Sequence, residues 1–149
     1  MEFPLKFVIV ESAVVPQSGI ELQDMRRHIL TAMNNGIQFS VLTATGLDEP
    51  TAIEDLVVYQ SAARAFQDAA ARPSDVIHKF LHRAGYRDMY ERVMIVESSY
   101  ARLDQFRAMG VRLAWADNAA NTNLIMSDIA LESGGRARPK KPAYGRLTV

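Results

Sequence analysis

Short apolar runs alternate along the chain with segments in which apolar residues recur at helical spacing. Residues 6–10 are rich in β-branched side chains and show no polar alternation, which is typical of a strand covered on both faces. In residues 22–33 the apolar positions recur every three or four residues, and Asn34-Asn35-Gly36 marks the end of an amphipathic helix. Further strands are predicted at 37–42, 93–96 and 111–116, and further helices at about 51–70, 73–84, 99–109 and 122–131.

This alternation of strands and helices predicts an α/β fold. Parallel strands need right-handed helical crossovers, which place helices on both faces of the sheet. We therefore expect a Rossmann-like three-layer sandwich with a parallel sheet of about four to five strands. The segments 12–42 and 44–71 each hold mostly one helix, so no cap domain is expected. Residues 1–133 are predicted to form a single domain, and 134–149 a flexible tail that carries Arg136, Arg138, Lys140, Lys141 and Arg146.

Composition narrows the possible partners and compartments. A length of 149 residues fits one domain, and 17 basic against 17 acidic residues give no net charge to attract nucleic acid. A nucleic-acid contact is expected only through the basic tail. The chain has no cysteine, which excludes disulfides, thiolate metal sites and cysteine nucleophiles and fits a cytoplasmic location. No apolar run approaches 18 residues and no signal peptide is evident, so no membrane partner is expected.

Polar residues stand where the predicted strands end. Glu11 follows the first strand, Thr43-Ala44-Thr45 the second, Glu97 the third and Asp117 the fourth. Ligands of open parallel sheets bind beyond the carboxyl ends of the strands, so these residues are the functional candidates. The first and third strands also share a pattern, since both read as four apolar residues followed by Glu-Ser.

The order and spacing of these residues resembles the haloacid dehalogenase-like (HAD) superfamily of phosphohydrolases over roughly residues 5–118. In that family one strand ends in Asp-x-Asp, a second in Thr or Ser, a Lys precedes a helix, and a later strand ends in paired acids. The resemblance implies catalytic positions at Glu11, Thr43, Arg72 and Glu97, and contacts to a phosphate from Thr43, Ala44, Thr45 and Arg102.

The chain departs from the family pattern at the residues that do the chemistry. Glu11 and Ala13 stand where the family has its nucleophilic and acid–base aspartates. A glutamate displaces the carboxylate by about 1 Å, which can cost about a hundredfold in rate, and Ala13 cannot transfer a proton. Arg102 stands near the position of a second metal-binding acid and opposes a cation. We therefore expect a degenerate, non-catalytic HAD-like domain without a cofactor that serves protein binding or assembly, with a protein partner or a second copy of the chain.

Two alternatives stay open. In the first, the protein is a Mg²⁺-dependent phosphohydrolase in which Glu11 attacks phosphorus, Glu97 ligates the metal and Asp117 substitutes for a lost acid. In the second, it is a receiver-like or flavodoxin-like regulatory module, which would be favoured if the strand order separated Glu11 from Glu97.

Other chemical signals are weaker. His78 and His82 have the spacing of two metal ligands on a helix, but no third ligand is evident, so they are expected to be ordinary exposed side chains. Trp115 is expected in the core or in an interface. The chain lacks the glycine-rich dinucleotide motif, the phosphate loop and the serine-hydrolase elbow, so these classes have no support.

Overall fold

The computed structural model describes residues 5–42, 52–53, 55–56, 73–134 and 146–147. The strands are β1 (Phe7–Glu11), β2 (Gln38–Leu42), β3 (Val93–Glu97), β4 (Arg112–Trp115) and β5 (Arg146–Leu147). The helices are α1 (Gly19–Asn34), α2 (Pro73–Ala84), α3 (Tyr100–Arg107) and α4 (Ala119–Ser133), with short 3₁₀ turns at Ser12–Val14 and Tyr90–Arg92. None of these helices combines the length and the apolar character that crossing a bilayer requires.

The described strands form one sheet in the order β2-β1-β3-β4-β5. The first four are parallel, and β5 pairs antiparallel with β4. From β1 the chain first adds β2 on one side and then β3 on the other, so the strand order reverses between β1 and β3. In parallel sheets this switch point opens a crevice at the carboxyl ends of the two strands, where ligands bind. The predicted α/β architecture with a parallel sheet is confirmed.

The sheet separates two apolar cores, which accounts for the unbroken apolar runs in the strands. All five residues of β1 and of β3 are buried. Alternate strand residues face opposite ways, so Val8 and Val10 join a core with α1 and α4, whereas Phe7 and Ile9 join one with α2 and α3. Helices therefore cover both faces, as the three-layer prediction requires.

Several predicted features lie wholly or partly outside the residues that the structure describes. The predicted helix at 51–70 lies outside the described residues except for 52–53 and 55–56, where Ile53 is buried against the core on the α1 side. The absence of a cap domain concerns the same stretch and stays a prediction. Within the predicted tail, Arg146–Leu147 forms the edge strand β5, and residues 135–145 and 148–149 lie outside the described residues.

Candidate functional site

Two buried glutamates stand side by side at the switch point of the sheet. Val10 of β1 is in register with Val96 of β3, so the next residue of each strand, Glu11 and Glu97, reaches the same edge of the sheet. The exposed fraction is 3% for Glu11 and 0% for Glu97. The structure therefore brings these two carboxyl groups together at one edge of the sheet, where both are buried.

Arg102 contacts both glutamates. Its Nε lies 2.7 Å from Oε1 of Glu97, and its Nη2 lies 3.5 Å from Oε1 of Glu11. The side chain of Arg102 is 23% exposed, so the three charged groups form a cluster that is largely withdrawn from water. We call Glu11, Glu97 and Arg102 the switch-point cluster.

The local sequence explains how Arg102 reaches the strand ends. Ser99 precedes α3 in extended conformation, and its hydroxyl oxygen accepts a hydrogen bond from the backbone N–H of Arg102 at 3.4 Å. Ser99 is therefore the N-cap of α3, and Arg102 lies in its first turn. Long side chains of a helix point back toward its N-terminus, which here lies at the carboxyl edge of the sheet. The guanidinium is thus directed toward the two strand ends.

The contact between Arg102 and Glu97 balances charge without ideal hydrogen-bond geometry. Although Nε of Arg102 and Oε1 of Glu97 are close, the N–H is not aligned with the oxygen, and neither atom has another hydrogen-bond partner. Oε2 of Glu11 is also buried without a hydrogen-bond partner. Oε2 of Glu97 accepts from the backbone N–H of Ser98 at 2.9 Å. Burying charges with incomplete hydrogen bonding costs free energy. The packing of the surrounding fold must therefore hold the cluster together.

Burial and mutual repulsion favour a proton on the carboxyl pair. Burial, and to a smaller extent the charge of Glu11, raise the pKa of Glu97 to about 7, against the lowering effects of Arg102 and of the Ser98 and Ser99 amides. Burial likewise raises the pKa of Glu11 above its usual range, against the lowering effect of Arg102. Because the two groups interact, the proton belongs to the pair. Near neutral pH the pair is therefore partly protonated, and the guanidinium of Arg102 faces less than two full negative charges.

The residues of the cluster do not fit a magnesium ion. Mg²⁺ requires several oxygen ligands in near-octahedral geometry at about 2.0–2.1 Å. The Oε1 atoms of both glutamates face a guanidinium instead, and among the described residues no group of three or more histidines or acids is placed to hold a metal. Asp117 accepts a hydrogen bond from the Asn121 side chain at 2.6 Å and lies two residues before α4.

Of the other site positions that the HAD resemblance implies, Ala13 alone lies in a described part of the chain. Thr43, Ala44, Thr45 and Arg72 lie outside the described residues. Ala13 is exposed in the turn after β1 and offers no proton-transfer group there.

An aromatic pair lies beside the cluster, and its stacking has no signal in the sequence. The ring of Tyr100 stacks on Trp115 with centroids 5.1 Å apart, and Tyr100 is 61% exposed. The indole N–H of Trp115 donates to the carbonyl oxygen of Ser98 at 3.1 Å. Trp115 is partly buried against the core on the α2 and α3 side, as a packing role predicts. The exposed position of Tyr100 could have been noticed from its place as the first residue of a helix that starts at a strand end.

Fold and site together define an α/β protein of Rossmann-like architecture with a carboxyl pair and an arginine at the switch point. The chain matches no protein-family model, and comparisons with curated proteins and with solved structures also give no match. The HAD resemblance is therefore carried by the residues of this chain alone.

The strand order bears on the regulatory-module alternative. Separation of Glu11 from Glu97 would favour that alternative, but the pairing of β1 with β3 places them together. The order β2-β1-β3-β4-β5 is nevertheless also that of flavodoxin-like sheets, so strand order by itself does not distinguish the two classes.

Proposed function

We propose that this protein is a non-catalytic, HAD-like domain in which the guanidinium of Arg102 stands in place of a catalytic cation, and which serves protein binding or assembly. The observation that carries the proposal is the position of Arg102, within 2.7 Å of Glu97 and 3.5 Å of Glu11. The absence of cysteine from the chain supports a cytoplasmic location within this proposal.

The chemistry of phosphoryl transfer supports this proposal in two ways. A carboxylate nucleophile must be ionised and must reach phosphorus, whereas Glu11 is buried, has a raised pKa and faces Arg102. An acid–base group typically increases the reaction rate about a hundredfold to ten-thousandfold. The residue two positions after Glu11 is Ala13, which cannot transfer a proton. The site therefore lacks both an available nucleophile and an acid–base group.

We expect no Mg²⁺-dependent hydrolysis of generic phosphate esters above the buffer rate. The assay compares the purified wild type with Glu11→Gln, which keeps the size of the buried side chain, so that a contaminating phosphatase would show equal rates in both. Turnover by the wild type that needs Mg²⁺ and disappears in Glu11→Gln would contradict the proposal and favour the phosphohydrolase.

Exposed apolar side chains at the same end of the molecule support a binding role. Ile20 in the first turn of α1 is 76% exposed, and Leu124 in α4 is 41% exposed. The side-chain amide of Asn123 donates to the backbone oxygen of Glu21 at 2.8 Å, which joins the two helices next to these side chains. Large exposed apolar side chains on two helices that contact each other mark a candidate interaction surface.

Substituting Ile20 with aspartate is expected to weaken the association of the protein, because a charge at the surface of contact must be desolvated. Sedimentation velocity of the wild type and Ile20→Asp measures self-association, and co-purification from the native host measures a heterologous partner. Leu30→Asp, another exposed apolar residue of α1, is the matched control. The binding role would be contradicted if the wild type is monomeric and carries no stoichiometric companion, or if Ile20→Asp retains its partner fully.

A further inference from the structure

A pair of histidine rings lies on α2, away from the residues of the switch-point cluster. His78 and His82 are four residues apart, both are exposed, and their ring centroids are 4.4 Å apart with an angle of 43° between the ring planes. Residues at i and i+4 of a helix lie on one face, one turn apart. The two rings are therefore already side by side in the structure.

This separation is compatible with two rings that share one metal ion. An imidazole nitrogen binds Zn²⁺ at about 2.0–2.1 Å, and the ring centre lies about 1.1 Å further out. Two imidazoles at a right angle, as around a square-planar or tetragonal Cu²⁺ or Ni²⁺, then have centroids about 4.5 Å apart, close to the 4.4 Å observed, and tetrahedral Zn²⁺ needs about 5.2 Å. Binding would require little rearrangement of the helix.

A third side chain orients one of the two rings. The hydroxyl of Tyr90 forms a hydrogen bond with Nδ1 of His78, and the two rings meet edge to face at 5.5 Å. With Nδ1 protonated, this nitrogen donates to the Tyr90 oxygen, and the lone pair of Nε2 is left free. Metal-binding histidines are commonly fixed by such a hydrogen bond from the other ring nitrogen.

We propose that His78 and His82 form a chelating site for one transition-metal dication of the class that prefers imidazole, such as Ni²⁺, Cu²⁺ or Zn²⁺, with Tyr90 as a positioning residue. Water completes the coordination, since the described part of the chain has no group of three candidate ligands. Affinity follows the usual order for nitrogen ligands, in which Cu²⁺ binds most tightly and Mn²⁺ most weakly of the first-row divalent ions. The site is independent of the proposed function of the switch-point cluster.

The test is a calorimetric titration of the full chain without a histidine tag with Ni²⁺ alone. We expect one equivalent to bind and His82→Ala to lower the affinity by about tenfold or more. The chain has one other histidine, so His28→Ala, on α1, is the matched control and is expected to bind like the wild type. Unchanged affinity in His82→Ala, or an equal loss in His28→Ala, would overturn the proposal.

The positioning role of Tyr90 has its own readout. Tyr90→Phe removes the hydroxyl and is expected to lower Ni²⁺ affinity by about 10–100-fold, the range typical of such supporting hydrogen bonds. In the electron paramagnetic resonance spectrum of bound Cu²⁺, the wild type is expected to show two imidazole nitrogens and His82→Ala one. A change of the Cu²⁺ spectrum in Tyr90→Phe, with the metal-free unfolding temperature unaltered, supports positioning, and an unchanged spectrum and affinity would refute it.

Discussion

Replacing Arg102 with alanine is expected to lower the free energy of unfolding by about 3–5 kcal/mol near neutral pH, the loss typical of removing one partner from a buried ion pair. The guanidinium is the cation that contacts both Glu11 and Glu97. Without it, two buried carboxyl groups face each other, and Oε2 of Glu11 and Oε1 of Glu97 have no hydrogen-bond partner. Urea unfolding of the wild type and Arg102→Ala measures the difference.

The same helix provides a matched control. Arg107 pairs with Asp104 at 3.0 Å, but its side chain is 51% exposed and that of Asp104 is 71% exposed. Exposed pairs typically contribute about 0.2–1 kcal/mol, so Arg107→Ala is expected to have a small effect. The loss in Arg102→Ala is also expected to shrink in acid, because protonated glutamates need no counterion. A loss in Arg102→Ala no larger than that in Arg107→Ala would show that the arginine does not balance the pair.

Replacing Glu97 with glutamine is expected to change how stability depends on pH. A carboxyl whose pKa is raised from 4.5 in the unfolded chain to about 7 in the folded one stabilises the fold while it is protonated. This contribution is complete below about pH 4.5 and is lost as the pH rises through about 7. One pKa unit corresponds to about 1.4 kcal/mol, so the loss across this window is at most about 3–4 kcal/mol.

The measurement is the free energy of unfolding from acid to mildly alkaline pH for the wild type and Glu97→Gln. Glutamine cannot ionise, so the free energy of unfolding of the variant is expected to increase relative to that of the wild type as the pH rises. The variant is expected to be the more stable protein above about pH 7. Glu91→Gln, an exposed glutamate in the turn before β3, is the control and is expected to change stability by less than about 0.5 kcal/mol. If the Glu97→Gln difference is flat with pH, Glu97 is not a carboxyl with a raised pKa.

The strands, and the position of each glutamate at the carboxyl end of a buried strand, could be predicted because they depend on local pattern. The apolar runs that end in Glu11 and Glu97 are buried on both faces, and parallel strands bring their carboxyl ends to one edge. What the pattern cannot specify is which strands are neighbours. That β1 pairs with β3 depends on packing between distant parts of the chain.

The role of Arg102 could be predicted from the sequence only in part. Its opposition to a cation could be argued from its charge and its place after the third strand. Its contact with both glutamates depends on the direction in which α3 leaves the sheet, which the Ser99 cap and the turn after β3 determine. The stacking of Tyr100 on Trp115 depends on the same geometry. Both are tertiary features, and neither has a periodic signal in the sequence.

The most direct test of the central claim is an NMR titration of the side-chain carboxyl carbons of Glu11 and Glu97, with and without millimolar Mg²⁺. If Arg102 and a shared proton balance this pair, the carboxyl carbons will titrate with an upper apparent pKa near 7 that Mg²⁺ does not shift. Two carboxylates that are both ionised well below neutral pH, or whose resonances move on binding Mg²⁺, would contradict the account.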